Sequence, residues 1–240
     1  IFDGSFPGGL TELYRTSGAR DSWPLITTGS VALLVDDIFK VQRSHPGAPL
    51  LISLVDADAA HKRLRRHPDE WSLTLNRFGG HFFVSTGSSF GDSFAMFLWH
   101  PFAQFLAYDT RSWADDALLA DTTALRFWGD DFAVVSVDVF HDQVVTRLLD
   151  TGQGLCPGMW SEKKSPDWIG LPQRKVWGVE FDLQSMTLAI PELKWDTLFT
   201  LTTELAESML LEQPFPLRKT QSFTGSLNWF SEVARPLRPL

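Results

Sequence analysis

Two adjacent carboxylates, Asp130 and Asp131, interrupt a run that is otherwise strand-forming and mostly apolar, Arg126-Phe127-Trp128-Gly129-Asp130-Asp131-Phe132-Ala133-Val134-Val135. Folding alone gives little reason to put two charges there. Strand formers on both sides of Gly129-Asp130 predict a β-hairpin with the acids at its tip. Upstream, Pro49-Leu50-Leu51-Ile52-Ser53-Leu54-Val55 is a second buried-strand candidate, and it delivers Asp56 at its end. Carboxylates converging from separate elements suit a divalent cation that prefers oxygen ligands. Asp also favours turns through local hydrogen bonds, so each of these acids has a purely structural reading as well.

Together the three acids fit the two Mg²⁺ of a nucleotidyl transferase. In a two-metal displacement on phosphate the ions lie about 3.5–4 Å apart and stabilise the attacking and leaving oxygens. Mg²⁺ keeps several waters, so two or three aspartates are enough. A second pair, in Trp113-Ala114-Asp115-Asp116, repeats the aromatic-x-Asp-Asp pattern. The later copy is the better candidate, because Phe132 to Ser136 supplies a returning strand, whereas Asp115 is followed by helix-favouring Ala117-Leu118-Leu119-Ala120.

The remaining chain reads as α+β. Residues 1–30 are rich in Gly, Ser, Thr and Pro and read as irregular connection. Ser30 to Arg43 carries Val31, Leu34, Val35, Ile38 and Val41 at helical spacing. Trp71 to Leu75 and Phe82-Phe83-Val84 read as a hairpin turning at Phe78-Gly79-Gly80-His81. Gly91 to Tyr108 reads as a buried helix that Pro101 kinks or divides. Val139 to Leu149 is helical, Lys175–Phe181 and Met186–Ile190 are two short strands, Pro191 opens a helix to Leu211, and a last helix covers Thr220–Val233.

Hydrophobic residues make up 44% and charged residues 21% of the 240, which excludes a disordered polymer and allows one large domain or slightly more. A single cysteine, Cys156, excludes an internal disulfide framework and fits a reducing compartment. With no bilayer-spanning apolar stretch and no signal-peptide pattern, the chain reads as soluble and intracellular, in cytoplasm or nucleus, without a membrane partner. There is no zinc-ligand cluster, phosphate-binding glycine loop or Gly-x-Ser-x-Gly elbow. The formal charge of −8 works against phosphate binding, but the positive charge is clustered. Lys62, Arg63, Arg65 and Arg66 crowd behind Asp56, and Arg218, Lys219, Arg235 and Arg238 face only Glu232 near the C-terminus. Both clusters read equally as solvated faces.

Motifs in order along the chain give a more specific reading. Asp56-Ala57-Asp58-Ala59-Ala60-His61 places an alanine four and a bulky residue five positions after an aspartate. Ser88-Ser89-Phe90-Gly91-Asp92-Ser93 puts Phe-Gly before a helix, Trp128-Gly129-Asp130-Asp131 is an aromatic-x-Asp-Asp box, Lys163-Lys164 follows, and Val176-Trp177-Gly178-Val179-Glu180-Phe181-Asp182 is a further hairpin signature. With Leu217 to Trp229 as a final helix, this collinear set resembles the palm and early thumb of reverse transcriptases, most closely those of DIRS-type and related eukaryotic retrotransposons.

The resemblance implies an α+β polymerase palm, an antiparallel sheet backed by helices, over 49–182. Residues 1–48 would be a remnant of truncated fingers with their connection, and 183–240 the end of the primer-grip hairpin and a helical thumb. It implies Asp56, Asp130 and Asp131 as ligands of two Mg²⁺, or Mn²⁺ in substitution, and Lys163 or Lys164, the latter preferred, as the cation at the departing pyrophosphate. It further implies Ala57, His61, Phe90 and Gly91 around the incoming deoxynucleoside triphosphate and Trp177-Gly178 against the primer of an RNA or DNA template. Trp128 in place of the common Tyr, His61 at the position that screens a ribose 2′-hydroxyl, and Asp92 in place of a small or apolar residue depart from the usual pattern. They leave open a fragment or decayed copy, catalytically silent, that only binds nucleic acid or a protein partner. An unrelated acid-rich metallohydrolase, or a binding module built on some of the ten tryptophans, also stays open.

Overall fold

The computed structural model describes residues 29–65, 67–69, 75–87, 93–118 and 120–234. Its centre is a three-stranded antiparallel sheet of β1 (Leu50–Asp56), β4 (Thr123–Trp128) and β5 (Asp131–Val137), in the order β1-β5-β4. Phe132 to Val137 are all buried, as expected of a central strand covered on both faces. Side chains alternate between two cores. Val55, Leu125, Phe127, Phe132 and Val134 pack under α3 (Ser93–Ala117) and α4 (Asp138–Leu155). Ile52, Ala124, Ala133 and Val135 face α1 (Val31–Ser44) and a second antiparallel sheet. That sheet consists of β6 (Gln173–Val176), β7 (Val179–Asp182) and β8 (Thr187–Ala189).

Local chemistry accounts for the framing elements. Ser30 caps α1, its hydroxyl accepting the Leu33 N–H at 3.2 Å, and the periodic Val31, Leu34, Val35, Ile38 and Val41 are all buried. Asp37 on the same helix is paired with Arg126 of β4 at 2.7 Å, tying helix to sheet. A short α2 (Ala60–Arg63) follows β1, and β2 (Leu75–Phe78) pairs with β3 (His81–Val84) around Gly79-Gly80. Beyond β8 come α5 (Glu192–Leu210) and α6 (Leu217–Ala234), which pack on one another. Among the described residues no helix is long and apolar enough to cross a membrane.

Two sequence expectations are corrected. The helix assigned to Gly91–Tyr108, described from Ser93, runs on to Ala117, and Pro101 does not divide it. It is held by packing: Trp99, Ala103, Leu106 and Ala114 are buried along one side. Lys175–Phe181 is not one strand but parts of two, because Trp177 and Gly178 form the turn between β6 and β7. The β2–β3 hairpin is described from Leu75 onward, and Trp71 to Thr74 lie outside the described residues, as do residues 1–28.

The segment after α4 is fastened to β1. A 3-10 turn spans Glu162–Trp168. Ile52 and Leu171 exchange two backbone hydrogen bonds at 2.8 and 3.1 Å, and the Ser161 N–H donates to the Asp56 carbonyl at 3.0 Å. Arg174 reaches Asp167, the Ile169 carbonyl and the Ile52 carbonyl. Beneath this segment lies a buried polar chain. The Ser53 hydroxyl donates to the Trp168 carbonyl at 2.7 Å, so it accepts from His141 Nε2 at 2.7 Å. Neutral His141 then offers Nδ1 as acceptor to the Ser136 hydroxyl at 2.8 Å.

Burial, with Arg174 adding to it against Asp142, pushes the His141 pKa down from 6.5 to about 4. Between those values the unfolded chain binds a proton at His141 that the folded chain refuses. The stability held by neutral His141 is therefore complete above pH 6.5 and is lost as pH falls toward 4. Urea unfolding should show the wild type losing roughly 3 kcal/mol relative to His141→Gln over that interval. Parallel pH profiles for the two proteins would contradict the assignment.

Candidate metal and nucleotidyl-transfer site

Strand register builds the site. In the β1–β5 pair, Asp56 stands opposite Asp131. Asp130 belongs to the two-residue turn joining β4 to β5, with Gly129 at φ +64° in the first turn position, the placement favoured in a type II′ turn. The tip is clamped from three directions. The Ala57 N–H donates to the Asp130 carbonyl at 3.0 Å, the indole N–H of buried Trp99 donates to the Gly129 carbonyl at 2.8 Å, and the Gly29 N–H donates to the Phe127 carbonyl at 2.9 Å. One carboxylate oxygen each from Asp56, Asp130 and Asp131 consequently lies within 4.8 Å of the others.

The electrostatics of the cluster are unbalanced. Lys164 is the one lysine held against it, with Nζ 2.8 Å from Asp56 Oδ1 and 4.0 Å from Asp131 Oδ1. That hydrogen bond to Asp56, outweighing partial burial, raises the Lys164 pKa above its ordinary value. Asp131 Oδ1 is buried and has no hydrogen-bond partner. Burial, then the adjacent Asp56 and Asp130 carboxylates, push Asp131 up to about 7, with Lys164 pulling the other way. Three carboxylate oxygen donors, one of them buried and without a partner, and, among the described residues, a single lysine as counter-charge fit a hard divalent cation such as Mg²⁺. Among the described residues this is the one His/Cys/Asp/Glu grouping of that kind. The rival pair, Asp115 and Asp116, lies on α3 and is exposed, with Asp115 accepting the Asp121 N–H.

Asp56, Ala57, Asp130, Asp131 and Lys164 come together, and of the two lysines it is Lys164 that meets the carboxylates. His61 lies on α2 just beyond Asp56, and Phe90 and Gly91 lie outside the described residues. Trp177 and Gly178 form their turn with φ of +50° and +85°; a bulky residue in that region is an outlier that surrounding contacts must hold. Those contacts are Trp128, edge-on with ring centroids 5.8 Å apart, and Trp229 of α6, whose indole N–H donates to the Trp177 carbonyl at 3.3 Å. A Cβ on Gly178 would meet Lys194 Nζ at 2.7 Å. The turn thus sits between the carboxylate hairpin and the final helices.

Sequence reasoning did not find Trp99, the support of the Gly129 turn, nor the Ser53–His141–Ser136 chain. An indole in a helix and a histidine after a strand carry no local signal of what they reach. The basic cluster behind Asp56 is partly consumed internally, since Arg63 donates to the Asp58 and Gly158 carbonyls and to the Asp58 carboxylate. Lys219 is likewise paired with Glu204 at 2.7 Å. Arg66, Arg235 and Arg238 lie outside the described residues.

The chain matches no protein-family model and no curated protein sequence. Solved structures do resemble it. The foamy viral protease-reverse transcriptase in complex with RNA/DNA hybrid aligns with a TM-score of 0.56 at 14% identity, over 93% of this chain and 27% of that one. The foamy viral protease-reverse transcriptase dRH in complex with double-stranded DNA aligns at 0.55 and 14%, over 92% and 35%. Telomerase from Candida albicans aligns at 0.49 and 11%, over 98% and 48%. This chain spans 27% to 41% of the length of the foamy viral chains it matches. At this identity what is shared is the fold, an α+β reverse-transcriptase-like palm.

Because Asp131 is held protonated in the fold up to about 7 against 3.8 when unfolded, the folded chain binds the extra proton between those values, and stability falls as pH rises through them. In metal-free buffer Asp131→Asn should therefore match the wild type near pH 4 and exceed it at pH 8. The side chain is 34% exposed, so screening reduces the gain to about 1–2 kcal/mol. Chemical denaturation at both pH values checks this, and a variant no more stable at pH 8 would contradict it.

Proposed function

We propose that this chain is a reverse-transcriptase domain, or a fragment of one, which binds a primed RNA or DNA template and transfers deoxynucleotides to the primer 3′-hydroxyl. The observation that carries the reading is the in-register Asp56–Asp131 pair with Asp130 at the adjoining turn, three carboxylates from two strands meeting at one point. The palm-like fold and the order of the motifs support it. The finer affiliation with DIRS-type retrotransposons rests on the motif order alone.

In this reading Asp56, Asp130 and Asp131 hold two Mg²⁺, or Mn²⁺ in their place. Bound there, the ions neutralise developing phosphate charge and lower the pKa of the attacking hydroxyl. The protein's part is positional. Asp56 and Asp131 are fixed by strand pairing and Asp130 by the clamped turn, so little reorganisation is needed when charge develops. Lys164 supplies a proton or positive charge to the departing pyrophosphate. The motif order assigns Ala57, His61, Phe90 and Gly91 to the incoming deoxynucleotide, with His61 the residue that screens its ribose, and the Trp177-Gly178 turn to the primer terminus.

A second reading, a catalytically silent relative that only binds nucleic acid or a protein partner, draws on the formal charge of −8 and on the internal pairing of Arg63 and Lys219. Primer extension on a primed RNA template with Mg²⁺ separates the two. Extension by the wild type that falls at least about a thousand-fold in the Asp130→Asn, Asp131→Asn double variant is expected. No extension by the wild type, with primed template still bound, would favour the silent relative. Undiminished extension by the double variant would remove the carboxylates from the chemistry.

A further inference from the structure

Lys164 occupies the space that a cation on Asp56 needs. Its Nζ is 2.8 Å from Asp56 Oδ1 and 4.0 Å from Asp131 Oδ1, and the Asp56 side chain is only 13% exposed. A Mg²⁺ ligated by the same oxygen sits at about 2.0–2.1 Å and carries its own waters, which leaves no place for the ammonium. The backbone beneath Lys164 is fixed: its N–H donates to the Ser161 carbonyl at 2.8 Å, and the Ser161 N–H donates to the carbonyl of Asp56 itself. Ser53 secures the far end of the same turn through the Trp168 carbonyl. What is free to move is the four-carbon stem, and the side chain is 47% exposed.

We propose that Lys164 is a tethered counter-ion which occupies the metal site until a divalent cation displaces it, so that metal loading and release of the Lys164 ammonium are one event. This rests on the metal-binding reading of the three aspartates. An ammonium on a short tether is present at high effective concentration, and it competes with every metal ion for Asp56. Displacement moves the ammonium out while its main chain stays anchored beside the carboxylates. The same contact keeps a cluster of three acids from standing uncompensated when metal is scarce.

Binding of Mn²⁺ alone to the purified chain, followed by electron paramagnetic resonance without nucleotide or nucleic acid, tests this. Lys164→Gln should bind Mn²⁺ about tenfold more tightly than the wild type, and Lys164→Arg, which keeps the cation, should stay near wild type. Reagent labelling of lysines read by mass spectrometry adds a positional check. Saturating Mg²⁺ should raise labelling of Lys164 several-fold and leave Lys163 unchanged.

If Asp56→Asn and Asp131→Asn weaken Mn²⁺ binding while Lys164→Gln does not tighten it, the tethered counter-ion is overturned and the metal site stands. If Mn²⁺ binding is absent from the wild type and from Lys164→Gln, or indifferent to the aspartate variants, the metal reading falls and this inference with it.

Discussion

Everything at the candidate site depends on one antiparallel pairing. β5 runs beside β1 in the register that sets Asp56 against Asp131, and the same ladder carries Val55 against Phe132 and Leu54 against Ala133. A slip of one residue would turn every side chain of a strand to the opposite face. Two cores pin the register, because Phe132 and Val134 fill one and Ala133 and Val135 the other. The carboxylates inherit their position from apolar packing one residue away, and the acids themselves oppose it: burial and mutual repulsion raise the pKa of Asp131 to about 7. A charge arrangement that costs stability, held in place by a core, is the pattern expected of a functional site.

Support for that arrangement comes from residues with no chemistry of their own. Trp99 holds the Gly129 carbonyl, Ala57 holds the Asp130 carbonyl, and Ser161 holds the Asp56 carbonyl, so three hydrogen bonds to main-chain carbonyls surround the three acids. On the far side Trp128 leans on Trp177, and Trp229 reaches the Trp177 carbonyl. An aromatic chain thereby runs from the carboxylate hairpin through the Trp177-Gly178 turn to α6. The motif reading places metal beside one end of this chain, at the Trp128 hairpin, and primer at its middle, the Trp177-Gly178 turn.

The elements legible in the sequence were those whose signal is periodic or local. Strand-forming apolar runs on either side of Gly129-Asp130 predicted β4 and β5, helical spacing predicted α1, and Pro191 marked the start of α5. Failures came where tertiary packing overrides a local rule. Pro101 reads as a break, yet α3 passes through it because Trp99, Ala103 and Leu106 are buried around it. Trp177 reads as a strand residue and is a positive-φ turn residue, since no propensity scale anticipates a tryptophan held there by two others. At the site the three aspartates and the lysine pair were legible from motif order. That Lys164 rather than Lys163 faces Asp56 follows from the 3-10 turn and its anchor at Ser161, which are tertiary facts.

The central claim is that Asp56, Asp130 and Asp131 form a two-metal centre. Its most direct test is anomalous X-ray diffraction from crystals of the chain equilibrated with Mn²⁺. Two anomalous peaks about 3.5–4 Å apart, with oxygens of these three side chains among their ligands, are predicted. Well-diffracting crystals with Mn²⁺ bound elsewhere, and no peak at the β1–β5 tip, would contradict it.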